Sequence, residues 1–342
     1  MYVVRPAQSA DAAAIAAMAR DWKQSVYSFP RGPDAIGAAI ERSLAAHAAL
    51  VTHPGEQSYM FVLENLDDAS LAGCASMAAL AGAQGMYLAL RNDVIQQVSR
   101  DLGIRHSVHA LNLCSDLTNY SQLSSFYVRN WQHAGPEAAL LSRARLLYAA
   151  SEPQRFADKF FTALAGVTDV AGDSPFWDAL GAKFFQMNFQ QAERAVEGTR
   201  NRALLVELMP HYPVYVPLLP APARAAMGQV HPEAALPVQL LSHEGFAHDE
   251  FVDLFDGGPI LQAHKMALRS FSASVPRWVA QEGEDGGTAR HAYLVSTVGK
   301  EDFRATIVEC EGLGMSESVP LLENVRRALD VVTGDQVLTV RL

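Results

Sequence analysis

The hydrophobic and polar positions of the first 130 residues predict two helices among a series of strands. The run MYVVRP predicts a short strand, and Ser9 or Asp11 can cap the alanine-rich helix that follows it. Ile36, Ile40 and Leu44 recur at helical spacing and predict a second helix. The apolar runs SYMFVLEN and LAGCASMAAL flank a polar pentapeptide, so they predict a β-hairpin. Further strands are predicted at residues 86–90, 107–113 and 122–128.

Helical and extended segments alternate in the middle of the chain. Pro136 predicts the start of a helix, because proline is favoured at the first helical position. Ser174 can cap the helix SPFWDALGAKFF, and another helix is predicted to end near Glu197. A helix followed by Gly245 and an aromatic residue is predicted before FVDLF. The short apolar runs ALLVEL and FVDLF, and a segment at residues 160–167, predict strands.

The pattern changes at about Ile260. Short alternating runs (AYLVSTV, FRATIVEC and QVLTVRL) are separated by turns, and residues 321–329 predict the one helix of this region. A length of 342 residues exceeds what one hydrophobic core usually serves. We therefore predict two domains: residues 1–259, and a small β-barrel formed by residues 260–342.

Composition narrows the classes of function. The formal charge of −10 is not gathered into a tail, which argues against nucleic acid or an anionic membrane as partner and is compatible with a cationic substrate. The three cysteines are widely spaced and predict neither a disulfide framework nor a metal site. The sequence shows no amino-terminal targeting pattern and no apolar run long enough to cross a membrane. We expect a protein of the reducing cytoplasm.

Polar groups that could carry chemistry are concentrated between residues 203 and 259. Glu207 closes the run ALLVEL, and Asp253 and Asp256 flank the end of FVDLF. His231 lies in GQVHP, where Pro232 fixes the backbone and presents the imidazole from a rigid turn. Carboxylates suit a guanidinium group and the histidine suits proton transfer, although solvated strand ends and a structural turn explain the same residues.

Other polar and aromatic groups are less suggestive. The histidine pairs at positions 106 and 109 and at positions 243 and 248 have no cysteine or carboxylate partners at metal-ligand spacing. Metal binding is therefore not expected. Phe176 and Trp177 share helical spacing with other apolar residues and are interpreted as core.

Several motifs give the sequence a family resemblance. ELMPHYPVYVPLL, GQVHP, EGF and FDGGP, with SPFW upstream, resemble arginine N-succinyltransferases over nearly the whole chain. SFYV, SRARLLYAAS and RFAD are similar to the α subunit of the two-subunit arginine/ornithine enzyme. The resemblance implies an α/β fold with a mixed sheet and flanking helices, like the GCN5-related N-acetyltransferases.

The same resemblance implies a reaction. Succinyl-CoA would serve as acyl donor, and the α-amino group of arginine or ornithine would attack the thioester directly, with no permanently bound cofactor and no metal. An oligomer is implied, in which a homologous β subunit is one partner. The alternative is a non-catalytic α subunit that regulates or scaffolds such a β subunit.

The resemblance also implies roles for single residues. His231 would be the proton donor, with His211 as the rival, and Phe126 would contact succinyl-CoA. The strand end Phe126, Tyr127 and Val128 would lie along the pantetheine and donate an oxyanion-hole N–H. The residues themselves, and not the resemblance, suggest that Glu207, Asp253 and Asp256 bind the guanidinium and α-amino groups of the substrate.

The expected pyrophosphate loop departs from the acetyltransferase pattern. Gln132 and Gly135 match the pattern, but Glu137 stands where glycine or alanine is usual. A carboxylate at this position would repel a pyrophosphate. In the first turn of an ordinary capped helix, by contrast, the helix dipole stabilises a carboxylate. The sequence leaves both interpretations open. If the chain binds CoA well, either Glu137 turns outward or the pyrophosphate is held elsewhere, for example by Arg143 or Arg145.

Overall fold

A computed structural model describes residues 1–21, 32–83, 85–197, 203–281, 290–299 and 302–342. The strands are β1 (Tyr2–Pro6), β2 (Ser58–Asn65), β3 (Ser70–Ala78), β4 (Ala89–Ser99), β5 (Ile104–Cys114), β6 (Ser121–Val128), β7 (Lys159–Ala163), β8 (Val214–Tyr215), β9 (Ala247–Val252), β10 (Pro259–His264), β11 (Val275–Gln281), β12 (Arg290–Thr297), β13 (Ala305–Glu311), β14 (Ser318–Leu321) and β15 (Gln336–Arg341). The helices are α1 (Ala12–Asp21), α2 (Pro33–Ala48), α3 (Pro136–Ser151), α4 (Pro175–Ala179), α5 (Gly181–Phe185), α6 (Phe189–Glu197), α7 (Ala203–Leu208), α8 (Ala221–Ala226), α9 (Ala235–Glu244), α10 (Arg269–Ser272) and α11 (Glu323–Leu329).

The strands form one mixed sheet. Their order is β14-β11-β15-β12-β13-β1-β2-β3-β6-β7-β10-β9-β4-β5-β8. Most neighbours are antiparallel, and the β6–β7 and β11–β14 pairs are parallel. The mixed α/β class predicted from the sequence is confirmed.

Helices cover both faces of the sheet at β2, and the sequence of β2 shows why. Tyr59, Phe61 and Leu63 point toward α3 and belong to the main core. Met60 and Val62 alternate with them and pack with residues of α1 and α2. Because both faces are buried, the strand is continuously apolar instead of alternating.

Helix α3 is the central element of the main core. Every residue from Leu140 to Ala149 is buried, including two arginines. A helix that is apolar on nearly all sides must be enclosed by the rest of the fold. Its amino-terminal end, at Gly135, is exposed, so α3 connects the interior to the surface at that point.

The C-terminal strands do not form an isolated barrel. β11 to β15 and α11 bury their own apolar cluster, but β13 pairs with β1 at Val4 and Ala305 and so joins the main sheet. The predicted boundary at residues 259/260 falls inside β10, which pairs with β7 and β9. A separate barrel is therefore not confirmed.

Two predicted strands are wrong in type or extent. ALLVEL forms the helix α7, because a short apolar run fits either element and its length alone does not decide between them. FVDLF is extended only as far as Val252, where β9 ends, and Asp253 begins a buried turn. The hairpin of β2 and β3, the helix α3 and the helix end at Gly245 are confirmed.

Candidate active site

Strands β6 and β7 run parallel and pair only over a short length. Within the described residues, the pairs of this ladder are Ser121 with Phe160 and Gln122 with Phe161. Beyond them the two strands have no ladder in common. We call the space between residues 123–128 of β6 and residues 163–166 at the end of β7 the β6–β7 gap.

The side of β6 away from the gap contains a β-bulge. Ser124 pairs with Ser76 and Tyr127 pairs with Cys74, so Ser125 and Phe126 both stand opposite Ala75. Ser125 has a positive φ of 54°, which is uncommon for serine. A bulge interrupts the ladder and turns backbone groups away from it. The bulge thus takes Ser125 and Phe126 out of the ladder, while Tyr127 and Val128 stay paired with Cys74 and Gly73.

Arg145 lies behind this bulge and was not predicted to do so. Its Nη1 donates to the carbonyl oxygens of Ser76 and Ser124, at 3.2 and 3.3 Å. Its guanidinium carbon lies 5.5 Å from the centre of the Phe126 ring. Burial lowers the pKa of Arg145 to about 9. The cation therefore supports the bulged strand from within the core.

The amino-terminal end of α3 follows β6 through a short loop. Gln132 is exposed in a single 3-10 turn, and Gly135 immediately precedes the helix. The Gly135 N–H donates to Oε1 of Glu137 at 2.8 Å. Glu137 therefore turns back onto the helix end and occupies a donor that a phosphate oxygen would use.

The alternative pyrophosphate partners are engaged elsewhere. Arg143 is buried and its Nε donates to Oε2 of Glu244 at 2.8 Å. Arg145 is buried behind the bulge, as described above. The prediction that Arg143 or Arg145 could hold a pyrophosphate is therefore wrong, because both guanidinium groups lie inside the core.

His231 is attached by its backbone to the end of β7. Its N–H donates to the carbonyl of Ala165 at 2.8 Å, and the preceding residue, Val230, forms a bridge with Gly166. Ala165 is four residues beyond Phe161, and Phe126 is four residues beyond its partner Gln122. The histidine turn therefore lies on the β7 side of the β6–β7 gap, while the bulge lies on the β6 side.

The imidazole of His231 also has a defined orientation. Its Nδ1 accepts a hydrogen bond from the Glu233 N–H at 3.2 Å, so the side chain caps the 3-10 turn that begins at Pro232. An acceptor at Nδ1 places the proton of the neutral ring on Nε2. His231 therefore offers an Nε2–H donor from a half-buried position. The rival, His211, lies exposed in the bend between α7 and β8.

The three candidate carboxylates differ in exposure. Asp253 and Asp256 are buried in the turn between β9 and β10, and both accept backbone N–H groups of that turn. Glu207 is exposed on α7. Burial and the neighbouring Asp253 raise the pKa of Asp256. The structure thus brings Asp253 and Asp256 together with the backbone that carries His231, and it leaves Glu207 open to solvent.

Two other predictions concern metals and membranes. Within the described ranges, no three His, Cys, Asp or Glu side chains are grouped so that they could hold a metal ion. None of the helices in those ranges has the length and apolar character needed to cross a bilayer. Phe176 and Trp177 are fully buried in one apolar cluster, so their interpretation as core is confirmed.

Sequence reasoning missed Ser125 and the location of Arg145. No local signal identifies Ser125, because serine is not a residue that favours positive φ. Arg145 did carry a signal: the run AALLSRARLLYAA is too apolar for an exposed helix. An arginine within such a helix must be buried and must find backbone or acidic partners.

Comparisons with known proteins agree with the motifs. A family model described as arginine N-succinyltransferase beta subunit matches residues 2–270. The chain is 40% identical to arginine N-succinyltransferase subunit alpha of Pseudomonas aeruginosa, over 99% of both chains. It is 32% identical to arginine N-succinyltransferase of Yersinia enterocolitica, over 100% of this chain and 98% of the relative.

One solved structure matches the whole fold. Arginine/ornithine succinyltransferase subunit AI from Pseudomonas aeruginosa superposes with a TM-score of 0.89 at 38% identity, covering 100% of this chain and 98% of that one. With the family model and the relatives, this match decides the classification. The chain is an acyltransferase that belongs to the arginine N-succinyltransferase family.

Proposed function

We propose that the chain transfers the succinyl group of succinyl-CoA to the α-amino group of L-arginine, or of ornithine, in cytoplasmic arginine degradation. The observation that supports the proposal is the backbone bond from His231 to Ala165, in the segment that follows β7 and borders the β6–β7 gap. Family membership supports the same reaction. It does not favour the alternative of a purely regulatory subunit.

The proposed donor site is the β6–β7 gap. The pantetheine arm of succinyl-CoA would lie along Phe126, Tyr127 and Val128, where it takes the place of a neighbouring strand. The pyrophosphate would lie at the loop of Gln132 and Gly135. This arrangement follows the fold of GCN5-related N-acetyltransferases, with the strands β11 to β15 as a smaller appended β unit.

The proposed reaction has one bond formed and one broken. The α-amino nitrogen attacks the thioester carbon, and the carbonyl oxygen becomes negative beside the Phe126 backbone and the Arg145 charge. As the C–S bond breaks, His231 Nε2–H donates to the leaving sulfur. The attacking nitrogen loses one proton as the amide forms, and His231 Nε2 takes up this proton as it gives its own to the sulfur, so the ring ends neutral. The site requires no metal and no covalent enzyme intermediate.

The amino-acid substrate needs anionic partners for its guanidinium group. Glu207 suits this role because its carboxylate is exposed and can meet a planar cation. Asp253 and Asp256 stay predictions as substrate ligands, and their burial makes direct contact with a cation less favourable. The relatives' names include subunit designations, so we propose an oligomer in which a homologous β subunit is one partner.

A direct assay tests the proposed function. The purified chain, supplied with succinyl-CoA, should release CoA thiol only when arginine or ornithine is added. Mass spectrometry should show the amino acid with one added succinyl group. If the chain alone gives no product, and gives none with the homologous β subunit added in excess, the catalytic proposal is wrong.

Replacing Glu137 by alanine should tighten CoA binding. The substitution frees the Gly135 N–H and removes a carboxylate that opposes the phosphates. At an effective dielectric near 20, a charge about 5 Å from a phosphate costs roughly 3 kcal/mol, so a gain on the order of a hundredfold is expected. Calorimetric titration with CoA at low salt measures it.

A matched control comes from another helix. Glu323 lies in the first turn of α11, so Glu323→Ala removes a carboxylate of similar type from a distant helix start. The control should leave the dissociation constant of CoA unchanged. Tight binding by the unmodified chain, with no gain from Glu137→Ala, would place the pyrophosphate away from Gly135.

A further inference from the structure

The carboxylate of Asp256 joins two backbone segments that meet beside His231. The side chain is completely buried, with a relative exposure of 0%. Its Oδ2 accepts the N–H of Gly166 at 2.8 Å, across 90 positions of sequence. Its Oδ1 accepts the N–H of Gly258 at 2.8 Å, within its own turn. One carboxylate therefore fixes the distance between the end of β7 and the turn before β10.

The His231 turn is attached to these same two segments. His231 N–H donates to the carbonyl of Ala165, which directly precedes Gly166. At the other end of the turn, the Gly228 N–H donates to the carbonyl of Gly257 at 2.8 Å. Both backbone attachments of the turn are thus one residue away from an N–H that Asp256 accepts.

The packing around the carboxylate leaves no space for adjustment. A Cβ atom at Gly166 would lie 2.9 Å from Cγ of Asp256. A Cβ atom at Gly258 would lie 2.6 Å from the Gly166 nitrogen. Contacts below 3.0 Å force something to move, so both positions need glycine. A small displacement of the carboxylate is therefore transmitted to the two segments.

We propose that Asp256 is a positioning residue that holds the His231 turn at the β6–β7 gap by binding the Gly166 and Gly258 N–H groups together. This inference rests on the proposed function, since it requires His231 to act in the reaction. It differs from the sequence prediction, in which Asp256 binds the substrate. The two roles have different kinetic signatures.

Asp256→Asn tests the role with little change in volume. The amide oxygen can accept one of the two N–H groups, while the NH2 group faces the other donor, so one link breaks. Because small displacements of catalytic groups are costly, kcat should fall by about tenfold to a hundredfold, with KM for arginine within about twofold. A higher KM for arginine at unchanged kcat would indicate that Asp256 binds the substrate, and it would overturn the proposal.

Asp169→Asn is the matched control. Asp169 also accepts two backbone N–H groups, from Ala171 and Asp173, in an exposed turn. This variant should keep its kcat, which shows that losing such a carboxylate is not harmful in itself. A loss of kcat in Asp169→Asn equal to that in Asp256→Asn would overturn the proposal.

A double variant separates this inference from the proposed function. If Asp256 acts through His231, Asp256→Asn should lower kcat by less than about twofold when His231 is already Asn. An undiminished effect in that background would overturn the positioning role while leaving His231 catalytic. Near-normal turnover of His231→Asn alone would instead refute the proton-donor role of His231, and only the absence of turnover by the unmodified chain would refute the proposed function.

Hydrogen exchange of the unmodified chain tests the proposal without any substitution. Amide hydrogen exchange should show the N–H groups of Gly166, Gly228, His231 and Gly258 opening together, with equal opening free energies. If the His231 amide exchanges much faster than that of Gly166, the two segments are not held as one unit and the proposal is wrong.

Discussion

Replacing His231 by Asn should lower kcat by about a hundredfold or more, the usual scale for a lost acid or base. The substitution removes the Nε2–H that faces the leaving sulfur in the proposed reaction. The amide oxygen of the introduced asparagine can still accept the Glu233 N–H, so the cap of the 3-10 turn is kept. The fold should therefore survive, with CoA binding unchanged, and steady-state kinetics with succinyl-CoA and arginine measure the loss.

His264 offers a closely matched control. Its Nδ1 accepts the N–H of Met266 at 3.2 Å, so it caps a 3-10 turn in the same way as His231. His264→Asn changes the same side chain in the same local geometry and should leave kcat unchanged. If the His231 variant also keeps near-normal turnover, the histidine is only a turn residue and the proton donor must be sought elsewhere.

Replacing Arg143 by Met should lower the free energy of unfolding by about 3 to 5 kcal/mol. Arg143 and Glu244 form a buried ion pair, and Arg143 also donates to the carbonyl of Arg341. Glu244 accepts the Ser270 N–H as well. Removing the arginine leaves a charged carboxylate in the core between α3, α9 and α10. Urea unfolding of the variant, followed by fluorescence and by circular dichroism, measures the effect.

Two further variants sharpen this prediction. Arg143→Met with Glu244→Gln removes both charges and keeps an acceptor for Ser270, so the double variant should be more stable than either single one. Arg327→Met breaks an ion pair of similar length that is exposed on α11, with Glu323 as its partner. That control should cost less than about 1 kcal/mol. Equal losses in the free energy of unfolding for Arg143→Met and Arg327→Met would mean that burial of the ion pair does not affect its contribution to stability.

The fold was predictable where pattern and length agree. Pro136 begins a 16-residue helix, and β2 and β3 form the predicted hairpin. The run ALLVEL was assigned wrongly because six residues, five of them apolar, are too few to distinguish a strand from a helix. The boundary near residue 260 followed a real change of pattern, but the sequence cannot show that β13 pairs with β1, since strand partners distant in sequence leave no local mark.

The candidate site was predictable only in part. GQVHP identified a rigid turn, and the turn does present His231 from a fixed backbone. The link from Asp256 to Gly166 spans 90 positions, so no motif reveals it. The positive φ of Ser125 could not be predicted from the sequence either, because serine rarely adopts that conformation. The departure of Glu137 from the acetyltransferase pattern was visible in the sequence. In the structure its carboxylate accepts the Gly135 N–H at the start of α3.

In the proposed reaction the β6–β7 gap receives the acyl donor, and His231 acts on the sulfur there. A crystal structure of the chain with CoA and arginine tests this most directly. We predict that the pantetheine arm lies along residues 126–128 and that the CoA sulfur lies within about 4 Å of His231 Nε2, close to hydrogen-bond reach. A pantetheine arm outside the gap, or a sulfur more than about 8 Å from the imidazole, beyond the reach of one bridging water, would contradict the account.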